Sequence, residues 1–254
     1  MKDEVAESNR HLQEAWKLYA RVSPGGEAID RAALAFANAK QPWFFMNVGA
    51  LRTPVTDQAD LARRAREALD YFSEPGNPWV LTGSEDWFGP NASSALSAVG
   101  LVHKTDLMGM VAERLLPATR QFPQVEMRRI GDEGTRLALA DLNAASHDVP
   151  RQWGRLALAS AALWEEPLFG TVAYIKGEPA SGAFALPIDD ALMVGWVATA
   201  KTHRRKGLAE MVMRESLAEA KKATGLDRTV LHATADGWCL SIGGKLVSIS
   251  NSTN

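Results

Sequence analysis

The stretch Gly195-Trp196-Val197-Ala198-Thr199-Ala200-Lys201-Thr202-His203-Arg204-Arg205-Lys206-Gly207-Leu208-Ala209 decides how this chain is read. Its opening residues close an apolar run, Ala191 to Thr199, that suits a buried strand. Its last residues open a long helix, expected over Lys206 to Thr224, where Glu210 and Arg214 stand at a supporting i,i+4 spacing. Between them lies a basic turn, with Arg204-x-x-Gly207-x-Ala209 at the junction. A helix N-terminus leaves several amides without internal partners and carries partial positive charge, so it suits a phosphate. Gly207 would let the backbone approach an anion that a Cβ would obstruct, and Ala209 keeps the approach narrow. Arg204, Arg205 and Lys206 add cationic charge. The pattern is a diphosphate cradle with neither the Gly-x-Gly-x-x-Gly of a dinucleotide fold nor the Gly-Lys-Ser/Thr of a P-loop. By itself it also fits a solvated basic turn with a tolerated glycine.

Working outward, Val125 to Ile130 reads as a strand and Asp132 to Asn143 as a helix, interrupted by Ser146-His147-Asp148-Val149-Pro150. Gln152 to Trp164 reads as a second helix. Phe169 to Ile175 and Gly182 to Leu186 read as hairpin strands joined by Lys176-Gly177-Glu178-Pro179. Thr229 to Thr234 is a further strand, and a short helix and a strand near Leu246 to Ile249 would finish the fold. Pro117 to Pro123 is the expected boundary between halves.

Ahead of that boundary, Val5, Leu12, Trp16 and Tyr19 share a helical face over residues 4–20. A second helix is expected from Ile29 to Ala39 and a strand from Trp43 to Val48. A helix opens at Thr56-Asp57, a strand covers Trp79 to Leu81, a helix covers Ala92 to Val99, and a strand starts at Leu101. Alternating strands and helices predict an α/β layer structure.

Composition narrows the function. The chain has 254 residues, 46% hydrophobic and 23% charged, which excludes a disordered, collagen-like or rod-like protein. Its 28 basic against 30 acidic residues give a net charge of -2, unlike a phosphate-neutralising nucleic-acid binder. The single cysteine, Cys239, excludes an intramolecular disulfide framework and a cysteine zinc finger, and no metal is expected. No apolar segment has the length of a signal peptide or membrane span, so a cytoplasmic protein without membrane or nucleic-acid partners is expected.

The basic junction resembles the GNAT superfamily of CoA-dependent N-acyltransferases, whose signature is Arg/Gln-x-x-Gly-x-Gly/Ala after a strand and at the start of a helix. Here it reads Arg204-Arg205-Lys206-Gly207-Leu208-Ala209. The strand and turn from Val197 to His203, the strand Val230 to Thr234, Gly237 after it, and the element order from Val125 to Ile249 are similar to the family as well. The resemblance implies a GNAT-like mixed twisted sheet flanked by helices, with an acetyl-CoA domain over residues 123–254. Residues 1–122 would be a degenerate GNAT-like lobe in tandem, because the turn Gly49 to Val55 lacks the motif; an unrelated α/β cap is the alternative. It also implies that backbone amides from Arg205 to Ala209, with Arg204, Lys206 and Leu208 among them, hold the CoA pyrophosphate. Val197, Ala198 and Thr199 would line the pantetheine arm, with Val197 and Thr199 pairing to it by backbone and an amide near Val197 facing the thioester oxyanion. The implied reaction is acetyl transfer from acetyl-CoA to a primary amine of a small molecule by direct attack. A peptide or protein acceptor, a non-catalytic acyl-CoA-binding module and a purely structural lobe are the alternatives, and a homodimer is left open.

The catalytic residues are less well matched. Family members carry a Tyr that protonates the leaving thiolate, and Ser241 stands at that position in Leu240-Ser241-Ile242-Gly243-Gly244. A serine hydroxyl is shorter and less acidic, and could act only through water. His232, on the strand beside the expected thioester, is the candidate general base, although alternation along a strand leaves its direction open. Glu165, Glu166, Asp189 and Asp190 are loop-end carboxylates that could attract an amine or simply be solvated. Cys239 has no nucleophile's partners. Trp153 and Trp164 fit either an acceptor pocket or the core.

Overall fold

The computed structural model describes residues 3–74, 76–118, 120–234 and, as backbone, 245–251. The chain divides into two compact units, residues 1–111 with 232–254, and residues 112–231.

The first unit opens with α1 (Glu4–Val22), whose N-terminus is capped by the Asp3 carboxylate accepting from the Val5 and Ala6 amides. Leu12, Ala15, Trp16 and Tyr19 form its buried apolar face, as the spacing predicts. β1 (Glu27–Asp30) and β2 (Leu34–Asn38) follow as an antiparallel hairpin where the sequence suggests a helix over 29–39. Leu34 to Ala37 are all buried, so β2 is covered on both faces. An apolar run of that kind carries no period-2 signal to tell strand from helix. A 3-10 turn over Phe44–Met46 takes up most of the expected 43–48 strand, and β3 (Asn47–Leu51) begins after it. Then come α2 (Gln58–Tyr71), β4 (Val80–Ser84), α3 (Ala92–Ser97) and β5 (Leu101–Ala112). Leu34, Phe36, Leu51, Leu61, Ala65, Trp79, Leu81 and Phe88 form the core between this sheet and α2 and α3.

The second unit contains β6 (Glu126–Arg129), α4 (Glu133–Ser146), α5 (Arg151–Leu158), α6 (Ala161–Glu165), β7 (Phe169–Ile175), β8 (Glu178–Ile188), β9 (Ala191–Thr199), α7 (Leu208–Thr224) and the first three residues of β10 (Thr229–Thr234), whose last three fall in the first unit. Asp132 caps α4 by accepting from the Thr135 amide. The helix expected over 152–164 is two short helices, parted at Ala159 and Ser160. The β7–β8 hairpin turns through Lys176 and Gly177, both at positive φ (53° and 83°), the pair of left-handed residues that a tight hairpin turn needs. The strands lie in the order β10-β9-β8-β7-β6, with β9 and β10 parallel and the other pairs antiparallel. α7 lies on the face of Ala173, Ala183, Ala185, Leu192 and Val194, supplying Val212, Met213, Leu217 and Ala220.

The C-terminal strand β11 (Lys245–Asn251) belongs to the first unit. It pairs antiparallel with both β4 and β5 and completes the order β1-β2-β3-β4-β11-β5. A strand near 246–249 is thus present, but the end of the chain joins the first unit instead of closing a 123–254 domain. Strand pairing is non-local, so no feature within residues 245–251 identifies the neighbours. The expected short helix with Ser241, and with it Gly237, Trp238 and Cys239, lies outside the described residues. Among the described residues no helix is long and apolar enough to cross a membrane.

Candidate functional site

The site is built on the far end of β9. On one edge β10 runs parallel to it through Thr229↔Leu192, Val230↔Met193 and Leu231↔Val194, and the pairing ends there. On the other edge β8 stays paired, but Phe184 faces Gly195 while Gly182 faces Ala198. Trp196 and Val197 therefore stand opposite Ala183 alone, a β-bulge. Trp196 takes up the extra length at φ 53°, the left-handed region that a non-glycine residue rarely enters.

The bulge changes which way the amides point. Leu192 N–H donates to Arg228 O (2.8 Å), on the β10 side, and Ala200 N–H donates to Ala180 O (2.9 Å), on the β8 side. These residues are an even number of steps apart, so a regular strand would aim both amides at one edge. The single switch falls at the bulge. Counting back from Ala200, Val197 and Thr199 turn their amides to the edge from which β10 has departed.

A side chain holds the bulge. Asn143 of α4 is fully buried, and its Nδ2 donates to Trp196 O (3.0 Å) and to Leu139 O (3.0 Å). The His147 ring lies edge-on to the Trp196 indole, 6.2 Å between centroids, and burial lowers its pKa.

Beyond Thr199 the chain makes a 3-10 turn over Lys201–His203 and reaches Gly207, the N-cap of α7. Arg205 (φ 63°) and Gly207 (φ 82°) are both left-handed, and Gly207 supplies no side-chain cap. The first intrahelical bond runs from Met211 N–H to Gly207 O (3.1 Å), so the amides of Leu208, Ala209 and Glu210 precede the helix's own ladder. Arg204 donates to Thr199 O (3.3 Å) and Ser146 Oγ (3.4 Å), and Lys206 donates to Thr202 O (3.1 Å). Among the described residues, Arg204, Arg205 and Lys206 are exposed and form no ion pair.

Gly207 serves a further purpose that its sequence position does not suggest. A Cβ there would come within 3.2 Å of Arg120 Cδ and 3.4 Å of Phe122 Cδ1. The glycine thus makes room for the 120–122 segment as well as providing the left-handed turn. Arg120 Nε lies 3.4 Å from Glu210 Oε2, and Glu210 Oε1 accepts from Arg214 Nε at 2.9 Å. These pairs draw the carboxylate of Glu210 to Arg120 and Arg214. Arg120 is a cation of this region that sequence reading places in a linker.

Val197, Ala198, Thr199 and the 204–209 turn are brought into one continuous path. The other candidates are not. His232 follows the last β10 residue paired with β9, and its Nε2 lies 2.8 Å from Ser8 Oγ. Its Nδ1 is closed off from solvent with no partner among the described residues. Burial, and next the charge of His11, lower its pKa from 6.5 to about 3. Such an imidazole stays neutral at physiological pH and accepts protons poorly, which weighs against the general-base role expected for it. Glu165, Glu166, Asp189 and Asp190 are exposed at the ends of α6 and the β8–β9 turn. Asp189 and Asp190 flank the start of β9, the end opposite the cradle. Trp164 is a packing residue: its indole N–H donates to Leu158 O (2.7 Å) and its ring meets Phe184 edge-on. Trp153 is partly buried on α5.

The strand bulge, the parted parallel strand and the glycine-capped helix coincide with the segment that matches the model of the acetyltransferase (GNAT) family, residues 137–237. Residues 137–237 carry a GNAT domain. Solved structures extend the likeness of fold across both units. A GCN5-related N-acetyltransferase from Kribbella flavida is 16% identical, with 97% of this chain and 96% of that one covered and a TM-score of 0.66. A GCN5-related N-acetyltransferase from Sphaerobacter thermophilus is 11% identical, with 89% and 78% covered and a TM-score of 0.59. A tandem GNAT protein from the clavulanic acid biosynthesis pathway is 10% identical, with 96% and 94% covered and a TM-score of 0.53. At these identities the likeness concerns the fold. No curated protein matches the sequence. The GNAT domain supports acyl transfer as the general reaction class.

Proposed function

We propose that the GNAT domain binds acetyl-CoA along β9 and the 204–209 turn and transfers the acetyl group to a primary amine of a small molecule. The observation that carries this reading is the run from bulge to cradle. Two amides, Val197 and Thr199, are turned to the vacated edge of β9, and that edge leads into a helix N-terminus with no side-chain cap and three exposed cations that form no ion pair among the described residues. An extended pantetheine arm would add to that edge as a strand, and the diphosphate would sit on the amides of Leu208, Ala209 and Glu210. Arg204, Arg205, Lys206 and Arg120 supply charge around it.

In the reaction the amine nitrogen bonds to the thioester carbonyl carbon, the C–S bond breaks, and the nitrogen's proton leaves to solvent or a base. The Val197 amide faces the carbonyl oxygen as it gains charge. CoA thiolate takes up a proton, for which Ser241 acting through water is the candidate, tested by Ser241→Ala. His232 enters as a neutral partner of Ser8, and His232→Gln tests that assignment. The setting is a reducing, cytoplasmic one.

A non-catalytic acyl-CoA-binding module is the second reading, favoured by a histidine whose pKa of about 3 leaves it a poor base. The deciding experiment is calorimetric titration of acetyl-CoA into the wild type and into folded Gly207→Glu, followed by thiol release across a panel of amines. Binding by the wild type alone, with thiol release that depends on an amine, supports the enzyme. Binding without thiol release supports the module. No binding by the wild type removes both readings.

A further inference from the structure

Asn143 is a costly residue for its position. It is fully buried in the last turn of α4, where a leucine of similar shape would bury no polar atom. Both partners of its Nδ2, Leu139 O and Trp196 O, are carbonyls, so the amide can be oriented only one way. That orientation leaves Oδ1 buried with no donor among the described residues. A buried unsatisfied acceptor is destabilising. Part of this cost is offset by a bond that spans 53 residues and lands on the one residue of β9 in a left-handed conformation.

The direction of that bond matters. A trans peptide sets its carbonyl and its N–H on opposite sides. Asn143 draws Trp196 O toward α4, so the N–H of Val197, in the same peptide unit, points away from α4. We propose that Asn143 is a positioning residue: it locks the β9 bulge and thereby aims the Val197 amide at the thioester carbonyl. This inference rests on the acetyl-CoA reading above. It adds a residue outside the 204–209 motif, on another element, whose effect is on the acyl group and not on the CoA moiety.

The test is isotope-edited infrared spectroscopy of [carbonyl-13C]acetyl-CoA bound to the full chain, alongside calorimetry with desacetyl CoA. Asn143→Leu removes both donors without adding a buried charge, and Asn143→Asp keeps the shape while replacing the donor with an acceptor. In the wild type the carbonyl band lies below that of free acetyl-CoA, as a hydrogen-bonded carbonyl must. In either variant that folds it returns toward the free position, while CoA affinity stays within about threefold, since the cradle is untouched. Where a productive amine is in hand, turnover falls about a hundredfold, the scale of losing one oxyanion donor, with KM little changed. A folded variant that binds acetyl-CoA with the wild-type band position overturns the positioning role and leaves the acetyl-CoA reading intact. A wild type that binds neither CoA nor acetyl-CoA overturns the acetyl-CoA reading, and the positioning role with it, before any spectrum is taken.

Discussion

The two units contain the same local device in two states. In each, a strand leads through a turn into a helix: β3 into α2, and β9 into α7. In each, the third helical residue is a carboxylate paired with an arginine at i+4, Asp60 with Arg64 and Glu210 with Arg214. The outcomes differ. At α2 the Asp57 side chain caps the Asp60 amide (2.8 Å), and Asp60 reaches back to the Thr56 amide (3.1 Å). Buried Arg64 fills the turn, donating to Thr53 O, Pro54 O and Asp60. The hydrogen bond from Arg64 holds the Asp60 carboxyl well below its usual pKa. The first unit thus satisfies its helix terminus with its own anions. At α7 the cap is glycine, and Glu210 is paired with Arg214 and Arg120. The positive end of a helix is available to a ligand only when the protein does not occupy it.

The largest effect should come from emptying the self-filled turn. Arg64→Leu leaves Asp60 and two carbonyls facing an apolar group, at a cost of about 3 kcal/mol or more of stability by urea unfolding. Acetyl-CoA affinity should be unchanged. A large loss of affinity would mean that the two termini are not independent.

Giving α7 the cap that α2 has is the converse. Gly207→Asp should lower acetyl-CoA affinity about a hundredfold in calorimetry, because a carboxylate displaces the diphosphate from the amides. Asp tolerates a positive φ better than most residues, but its Cβ meets Arg120 and Phe122, so circular dichroism checks the fold of the variant before the titration. Retained affinity would show that the 204–209 turn holds no phosphate.

Acid separates two titrating groups of the first unit, His232 and Asp60, by window. His232 has a folded pKa of about 3 against about 6.5 unfolded, so the unfolded state binds more protons between those values. Its contribution is complete above pH 6.5 and falls as pH drops toward 3. The wild type should lose about 1 kcal/mol between pH 7 and 5.5, and His232→Gln should flatten that slope. Asp60, with a depressed pKa, contributes above the unfolded carboxylate range, near pH 4, and loses its effect only below that. A slope above pH 5 that survives His232→Gln would assign it to another group. The smallest effect is expected of Lys206→Ala: acetyl-CoA affinity falls about threefold, less at high salt, because an exposed cation is screened.

Much of this site could be read in the sequence because its parts are neighbours in the chain. Val197 to Thr199, the basic turn and Gly207 form one segment, and strand, turn and helix N-terminus follow from local patterning. The β1–β2 hairpin was not legible, since Leu34 to Ala37 are buried on both faces and carry no alternation. The bulge was not legible either. Its cause is a hydrogen bond from Asn143, 53 residues away, to a tryptophan that reads like any strand residue. Arg120 looked like linker because nothing near it in sequence suggests that it packs on Gly207. His232 stands at the expected place on β10, yet its proton affinity is lowered by burial and its Nε2 is taken up by Ser8 from the other end of the chain.

The sequence by itself determined the alternation of strands and helices, the glycine-capped start of α7 with its cations, and the absence of the same motif after β3. These are consequences of turn chemistry, helix capping and charge, which act over a few residues. Only the tertiary structure decided that β11 joins the first unit's sheet, that β10 parts from β9 after Val194, and that the amides of Val197 and Thr199 turn to the vacated edge. Those outcomes depend on backbone hydrogen bonds between distant segments. Every residue offers the same N–H and C=O, so only the folded chain selects which of them pair.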